Sequence, residues 1–277
     1  MEATGSKTTT QDLRIPGPTG QLTLRLYRPS VASATLPVVL YFHGGGFVGG
    51  SLDDAERQAT FLAEHATTLV VVIDYALAPT HPFPAAPEDA YATALWVTEH
   101  ADELGCDPMH MAVAGDDAGG NLAAALTLIA RDRNGPAIAA QVLVGPMLDP
   151  SMAYLGDGQR LNSDLDANTC AACYRQYLPQ PRHRLHPYAA PLASVRQAGL
   201  PPALIVTAEC DVLHKEAEHY AAALIAAGVP TQVARFGGIN HAALASHRPA
   251  LDEVAHFLRR RLTPVEQPDT GNSHSHI

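Results

Sequence analysis

The sequence predicts an α/β fold, a mostly parallel sheet covered by helices on both faces. The first ground is that continuous apolar runs of strand length alternate with helical patterns along the chain. Strands buried on both faces read as such unbroken runs. The second is size: 277 residues, 47% of them hydrophobic, suit one large domain with a sizeable core better than two small ones.

Residues 11–15 and 21–27 alternate in polarity around PGPTG and predict a β-hairpin. LPVVLYF (36–42) and TLVVVIDY (68–75) read as buried strands, with a helix over 53–66 between them. A proline-rich turn at 78–87 leads into a helix over about 87–104. HMAVA (110–114) is the next strand and Ala118–Arg131 the next helix. AAQVLVG (139–145), PALIVTA (202–208) and TQVARFG (231–237) complete the strands, with helices over 212–227 and 249–262. Residues 148–200 break this rhythm: they join two strands with only one modest helix, 165–178. A connection that long reads as a lid or binding insertion. The expected organisation is a tail over 1–10, one domain over 11–262 with the insertion at 148–200, and a frayed polar tail over 263–277.

Lys and Arg number 18 against 28 Asp and Glu, a net charge of −10. Such a chain repels phosphate backbones, which excludes nucleic acid as an expected partner. No apolar run approaches the length of a membrane span, and MEATGSKTTT lacks the basic and apolar segments of a secretory signal. The expectation is a cytoplasmic protein without a membrane partner; a homodimer is left open. Cys106, Cys170, Cys173 and Cys210 include a CAAC pair. Without a second ligand pair or a thioredoxin-like context, they read as small buried thiols. The histidines of the C-terminal tail lack acidic or cysteine partners at ligand spacing, so no metal is expected.

Four motifs fall at the C-terminal ends of predicted strands, where open α/β sheets build their sites. HGGGF, His43 to Phe47, supplies glycines that let backbone N–H groups approach a substrate. VAGDDAGGN, Val113 to Asn121, has the strand–turn–helix setting and the glycines of a nucleophile elbow, G-x-S-x-G, with Asp117 at the serine position. Asp211 in AECDVLHKE and His241 in GGINHAAL follow the later strands. Singly these are ordinary loop residues; in the order nucleophile, acid, histidine they favour a triad.

With HGGGF, DYALAPTHPFPAAPEDA, GDDAGGN, HPYAAPL, CDVLHKE and NHAAL, the chain resembles the hormone-sensitive-lipase-like, HGGG-type carboxylesterase branch of the α/β-hydrolases over residues 11–262. The resemblance implies an α/β-hydrolase fold with an eight-stranded, mostly parallel sheet. It implies a triad from the elbow residue Asp117 with Asp211 and His241, and an oxyanion hole from the N–H groups of Gly45, Gly46 and Ala118. Asp116 is implied as a structural neighbour of the nucleophile and His43 as the residue shaping the glycine turn. Gly44, Phe47 and Tyr177 join His43 and Asp116 as candidate binding residues. No metal or organic cofactor is implied, and the partner is a small ester-like molecule. The chain departs from the family twice. GDDAGG replaces GDSAGG, and the first strand begins almost at once, so a cap reduced to 148–200 and an open pocket are expected.

The first departure changes the chemistry. A carboxylate attacking an ester forms an anhydride. Its conjugate acid is ~12 pKa units stronger than an alcohol, so the exchange is uphill by on the order of 16 kcal/mol before assistance. The longer aspartate also reaches into the oxyanion hole and accepts its N–H bonds, and its charge raises the pKa of His241. Ester turnover is therefore expected to be impaired. Two other readings stand beside an esterase-type site. One is a hydrolase with a true Asp nucleophile for epoxides or haloalkanes, with Tyr154, Tyr174 or Tyr177 of the insertion as its cap donors; packing of the lid helix is the plainer role for those tyrosines. The other is a ligand-binding or proton-transfer protein on the same scaffold.

Overall fold

The computed structural model describes residues 8–30 and 35–263. Most of the tail over 1–10 and nearly all of that over 263–277, including its histidines, lie outside the described residues. Among the described residues eight strands are formed: β1 (Thr8–Gly17), β2 (Gly20–Pro29), β3 (Leu36–Phe42), β4 (Leu69–Asp74), β5 (Cys106–Asp116), β6 (Ala140–Val144), β7 (Ala203–Cys210) and β8 (Thr231–Asn240). They make one sheet in the order β1-β2-β4-β3-β5-β6-β7-β8. β1 pairs antiparallel with β2 and β2 with β4, and every other pairing is parallel. Thr8–Thr10, expected in the tail, belong to β1, because polar β-branched residues extend an edge hairpin without needing a core.

The six longer helices among the described residues are α1 (Glu56–Ala66), α2 (Ala85–Glu99), α3 (Ala118–Asp132), α4 (Ala167–Tyr177), α5 (His214–Ala226) and α6 (Arg248–Leu262). The helix expected over 87–104 is two pieces. α2 ends at Glu99, and a separate turn, Ala101–Leu104, is closed by Gly105 in the left-handed region. The central strands bury both faces. Val38, Leu40 and Phe42 join Val71, Val113 and Ile205 in one core with residues of α2, α3 and α5. Val39 and Tyr41 join Val70, Ala112 and Val206 in the other, with residues of α1 and α6. Successive strand residues point to opposite faces, so each apolar run feeds two cores at once.

Strand order reverses around β3, whose neighbours are β4 on one side and β5 on the other. Crevices beyond the carboxyl ends of strands at such a switch are where α/β sheets hold ligands. HGGGF follows β3 and Asp117 follows β5, so they are neighbours across this switch. Asp211 and His241 follow β7 and β8 on the same side.

Candidate active site

Asp117 sits between β5 and α3 with φ 52° and ψ −117°. For a residue with a Cβ this is a strained backbone, held here by the bond from Asp117 N to Val144 O at 2.9 Å and by Met147 N donating to Asp117 O at 3.1 Å. An aspartate ahead of a helix ordinarily caps it; here the side chain makes no cap bond and turns toward the HGGG loop. That loop is a tight turn in which Gly45, at φ 112°, accepts from the N–H groups of Val48 and Gly49 at 3.1 and 3.0 Å. Its freed amides converge on the carboxylate: Gly45 N and Gly46 N donate to Asp117 Oδ2 at 3.0 and 2.8 Å. Ala118, the first residue of α3, is fully buried beside it.

The other oxygen faces the histidine. His241 Nε2 lies 3.8 Å from Asp117 Oδ1, and His241 Nδ1 lies 2.9 Å from Asp211 Oδ2. Asp211 is fully buried, and its second oxygen accepts from Leu213 N at 2.9 Å. Asp117, Asp211 and His241 are thus brought together in one line.

Burial disfavours charge on His241, but the hydrogen bond to Asp211 and the charges of Asp117, Asp211 and Asp116 outweigh it and push the imidazole up to about 9. At pH 7 the imidazolium form then dominates. Beside it, burial pushes Asp116 up to about 6 against the bond from Tyr41 OH at 2.8 Å, and the Asp117 charge adds to the rise.

These two shifts have a stability signature. A histidine raised from 6.5 to about 9 stabilises the fold fully below pH 6.5, and that contribution is lost as pH rises through 9. Asp116, raised from 3.8 to about 6, contributes below 3.8 and loses its contribution through 6. Unfolding free energies from denaturant titrations should therefore fall between pH 6.5 and 9 and fall less in Asp117→Ser, which removes one charge facing the ring. An identical slope in the two proteins would remove Asp117 as a cause.

Around this line is a cavity of about 380 Å³. Its walls are Gly45, Gly46, Val144, Met147, Leu244 and, from the 148–200 segment, Leu165, Thr169, Cys170 and Cys173. Asp116 and Asp117 also line it. Four expected binding residues, Phe47, Tyr177, His43 and Gly44, do not. Phe47 and Tyr177 are buried and stack on each other, centroids 3.9 Å apart, because the ring of α4 needs an apolar seat on the turn after β3. Tyr174 is likewise buried, and Tyr154 stacks on His219. Neither reaches the cavity. His43 is also set back from it. Its ring stacks on Tyr75 and its Nδ1 donates to Gly44 O at 2.7 Å, so His43 and Gly44 brace the turn from behind. Of the cysteines, Cys106 and Cys170 are buried, while Cys173 and Cys210 are partly exposed, contrary to the expectation of four buried thiols. Among the described residues no group of metal-ligating side chains forms, and no helix is long and apolar enough to cross a membrane.

Sequence reasoning missed Asp164, whose two oxygens accept from His241 N and Ala242 N, each at 3.0 Å. Asp164 directly precedes the helix expected over 165–178, and nothing local shows that it reaches a turn 77 residues away.

Residues 39–245 match the family model described as alpha/beta hydrolase fold. The chain belongs to the α/β-hydrolase family. Within that family it falls in the hormone-sensitive-lipase-like carboxylesterase branch. It is 44% identical over 232 residues to Esterase LipI of Mycobacterium tuberculosis, covering 80% of this chain and 71% of that protein. It is 41% identical over 242 residues to Carboxylic ester hydrolase LipN of the same organism, covering 83% and 63%. Among solved structures, the thermostable carboxylesterase EstE1, cloned from a metagenomic library, superposes with a TM-score of 0.88 at 38% identity over 92% of this chain and 90% of that one. In this α/β-hydrolase, the strand–elbow–helix carries an aspartate where the family elbow reads GDSAGG, so the activity of the relatives does not transfer without an account of Asp117.

Proposed function

We propose that this is a carboxylesterase-type site for small ester-like substrates, with Asp117 in the nucleophile position, Asp211 and His241 completing the triad, and Gly45, Gly46 and Ala118 forming the oxyanion hole. In this form ester turnover is suppressed. The observation that carries the reading is the pair of bonds from Gly45 N and Gly46 N to Asp117 Oδ2. Donors aimed at the place where an ester's oxyanion would develop are already taken by the residue's own carboxylate. His241, held as imidazolium, is also a poor base for the step.

The deciding experiment compares the parent with Asp117→Ser and Asp117→Asn on short p-nitrophenyl esters and on an epoxide panel. Ester hydrolysis gained by the serine form, with no epoxide turnover by the parent, supports the proposal. Epoxide turnover by the parent that vanishes in Asp117→Asn would instead make Asp117 a true nucleophile. The tyrosines that reading needs lie outside the cavity, which speaks against it.

Cavity size supports a short acyl group. Val144, Met147, Leu165 and Leu244 give an aliphatic lining, and about 380 Å³ lies at the small end of ligand sites. On the serine form, a four-carbon acyl ester should exceed a sixteen-carbon one by ~10-fold or more in kcat/KM. A preference for the long chain would refute the size argument.

A further inference from the structure

His241 stands on the least supported element of the site. β8 is an outer strand of the sheet, and its residues are half-buried or exposed throughout. The chain leaves it into one short helical turn, His241–Leu244, of which only Leu244 is buried. The first amides of a helical turn have no partners inside it. Three of them are nonetheless engaged. Asn240 Oδ1 accepts from Ala243 N at 3.1 Å, which is a local cap. The other two amides, those of His241 and Ala242, go to the two oxygens of Asp164, each at 3.0 Å. Asp164 does not belong to this part of the chain; it comes from the 148–200 segment that supplies one wall of the cavity.

We infer that Asp164 is the positioning residue for His241, clamping two successive backbone amides with both carboxylate oxygens. One bond would leave the turn free to pivot, whereas two parallel ones fix its rotation, and both are charge-assisted. The neighbouring residue, Leu165, lines the cavity together with Ala242. The seat of the cap on the pocket and the seat of the histidine in the triad line are therefore one contact. If the cap stretch lifts, His241 loses its hold at the same moment. The inference rests on the triad role proposed above for His241, but its structural half does not.

Hydrogen exchange of single amides in the full chain, with Asp117 as it stands, tests that half directly. In Asp164→Ala the amides of His241 and Ala242 should exchange faster by about tenfold or more, while β7 and the rest of β8 are unchanged. Asp164→Asn keeps one accepting oxygen, so one of the two amides should stay protected, a rescue that general loosening would not produce. Unchanged exchange at both amides in Asp164→Ala, or faster exchange spread through β7 and β8, overturns the inference. The catalytic half is read in the Asp117→Ser form. There Asp164→Ala should lower kcat about tenfold with KM within about twofold, and Asp164→Asn should recover part of the loss. A fall carried by KM alone would overturn the claim that the histidine is what moves. If Asp117→Ser hydrolyses no ester at all, the proposed function fails, and the exchange data still decide the clamp.

Discussion

Asp117→Ser raises the rate of simple ester hydrolysis at least ~10³-fold over the parent, the scale on which a triad acts as a unit. Three separate effects push the same way. Serine forms an acyl ester in place of an anhydride. Its shorter side chain vacates the amides of Gly45 and Gly46, so that they stabilise the substrate's oxyanion. Losing the charge 3.8 Å from His241 Nε2 lets the imidazole fall from about 9 toward the range of a working base. The rates come from p-nitrophenyl ester assays, and the histidine from NMR titration in both forms. Equal rates in the two proteins would end the kinetic argument. A histidine unmoved between them would end the electrostatic one.

Gly119→Ala destabilises the fold by about 3 kcal/mol, near the upper range for forced overpacking. Gly119 brings the start of α3 against the end of β3 so closely that an added Cβ would lie 2.0 Å from Phe42 O and 2.6 Å from His43 O. Those contacts are backbone atoms at the end of a central strand and just past it, and cannot swing aside. Either the helix retreats, carrying Asp117 away from Gly45 and Gly46, or the strand end bends. The measurement is the denaturant midpoint with its slope checked. Gly49→Ala, whose Cβ would meet nothing nearer than Gly45 O at 3.8 Å, is the control, expected within about 0.5 kcal/mol of the parent. Matching midpoints for the two variants would show that α3 has slack.

How much of this was legible depended on range. The central strands declared themselves because both faces are buried, which forces unbroken apolar runs such as LPVVLYF. Asp117, Asp211 and His241, which the structure brings into one line, could be picked out because each follows a strand within a motif of local shape. Leu165, Thr169 and Cys173 were not: the helix carrying Thr169 and Cys173 could be read, but which of its faces meets the cavity depends on how the insertion folds back over the sheet. Phe47 and Tyr177 misled for a related reason. An aromatic beside a glycine turn looks like a ligand platform, and only the tertiary fold shows that the two rings use their faces on each other. The bonds from His241 N and Ala242 N to Asp164 are invisible in principle, because a backbone amide has no side-chain signature.

The carboxylate in the Gly45–Gly46 cradle has a consequence for ligands. Hydrolysis of an ester releases a carboxylic acid, and the amides of an oxyanion hole are a natural seat for its anion. Asp117 is such an anion, attached to the chain and carrying no translational entropy to lose on binding. A tethered group competes at an effective concentration of millimolar or above, a level that a free acid in solution seldom exceeds. On the proposed esterase reading, the protein thus carries an analogue of its own product in place. Small carboxylates are then expected to be excluded by occupancy and by charge, with the aliphatic part of the cavity left to neutral molecules.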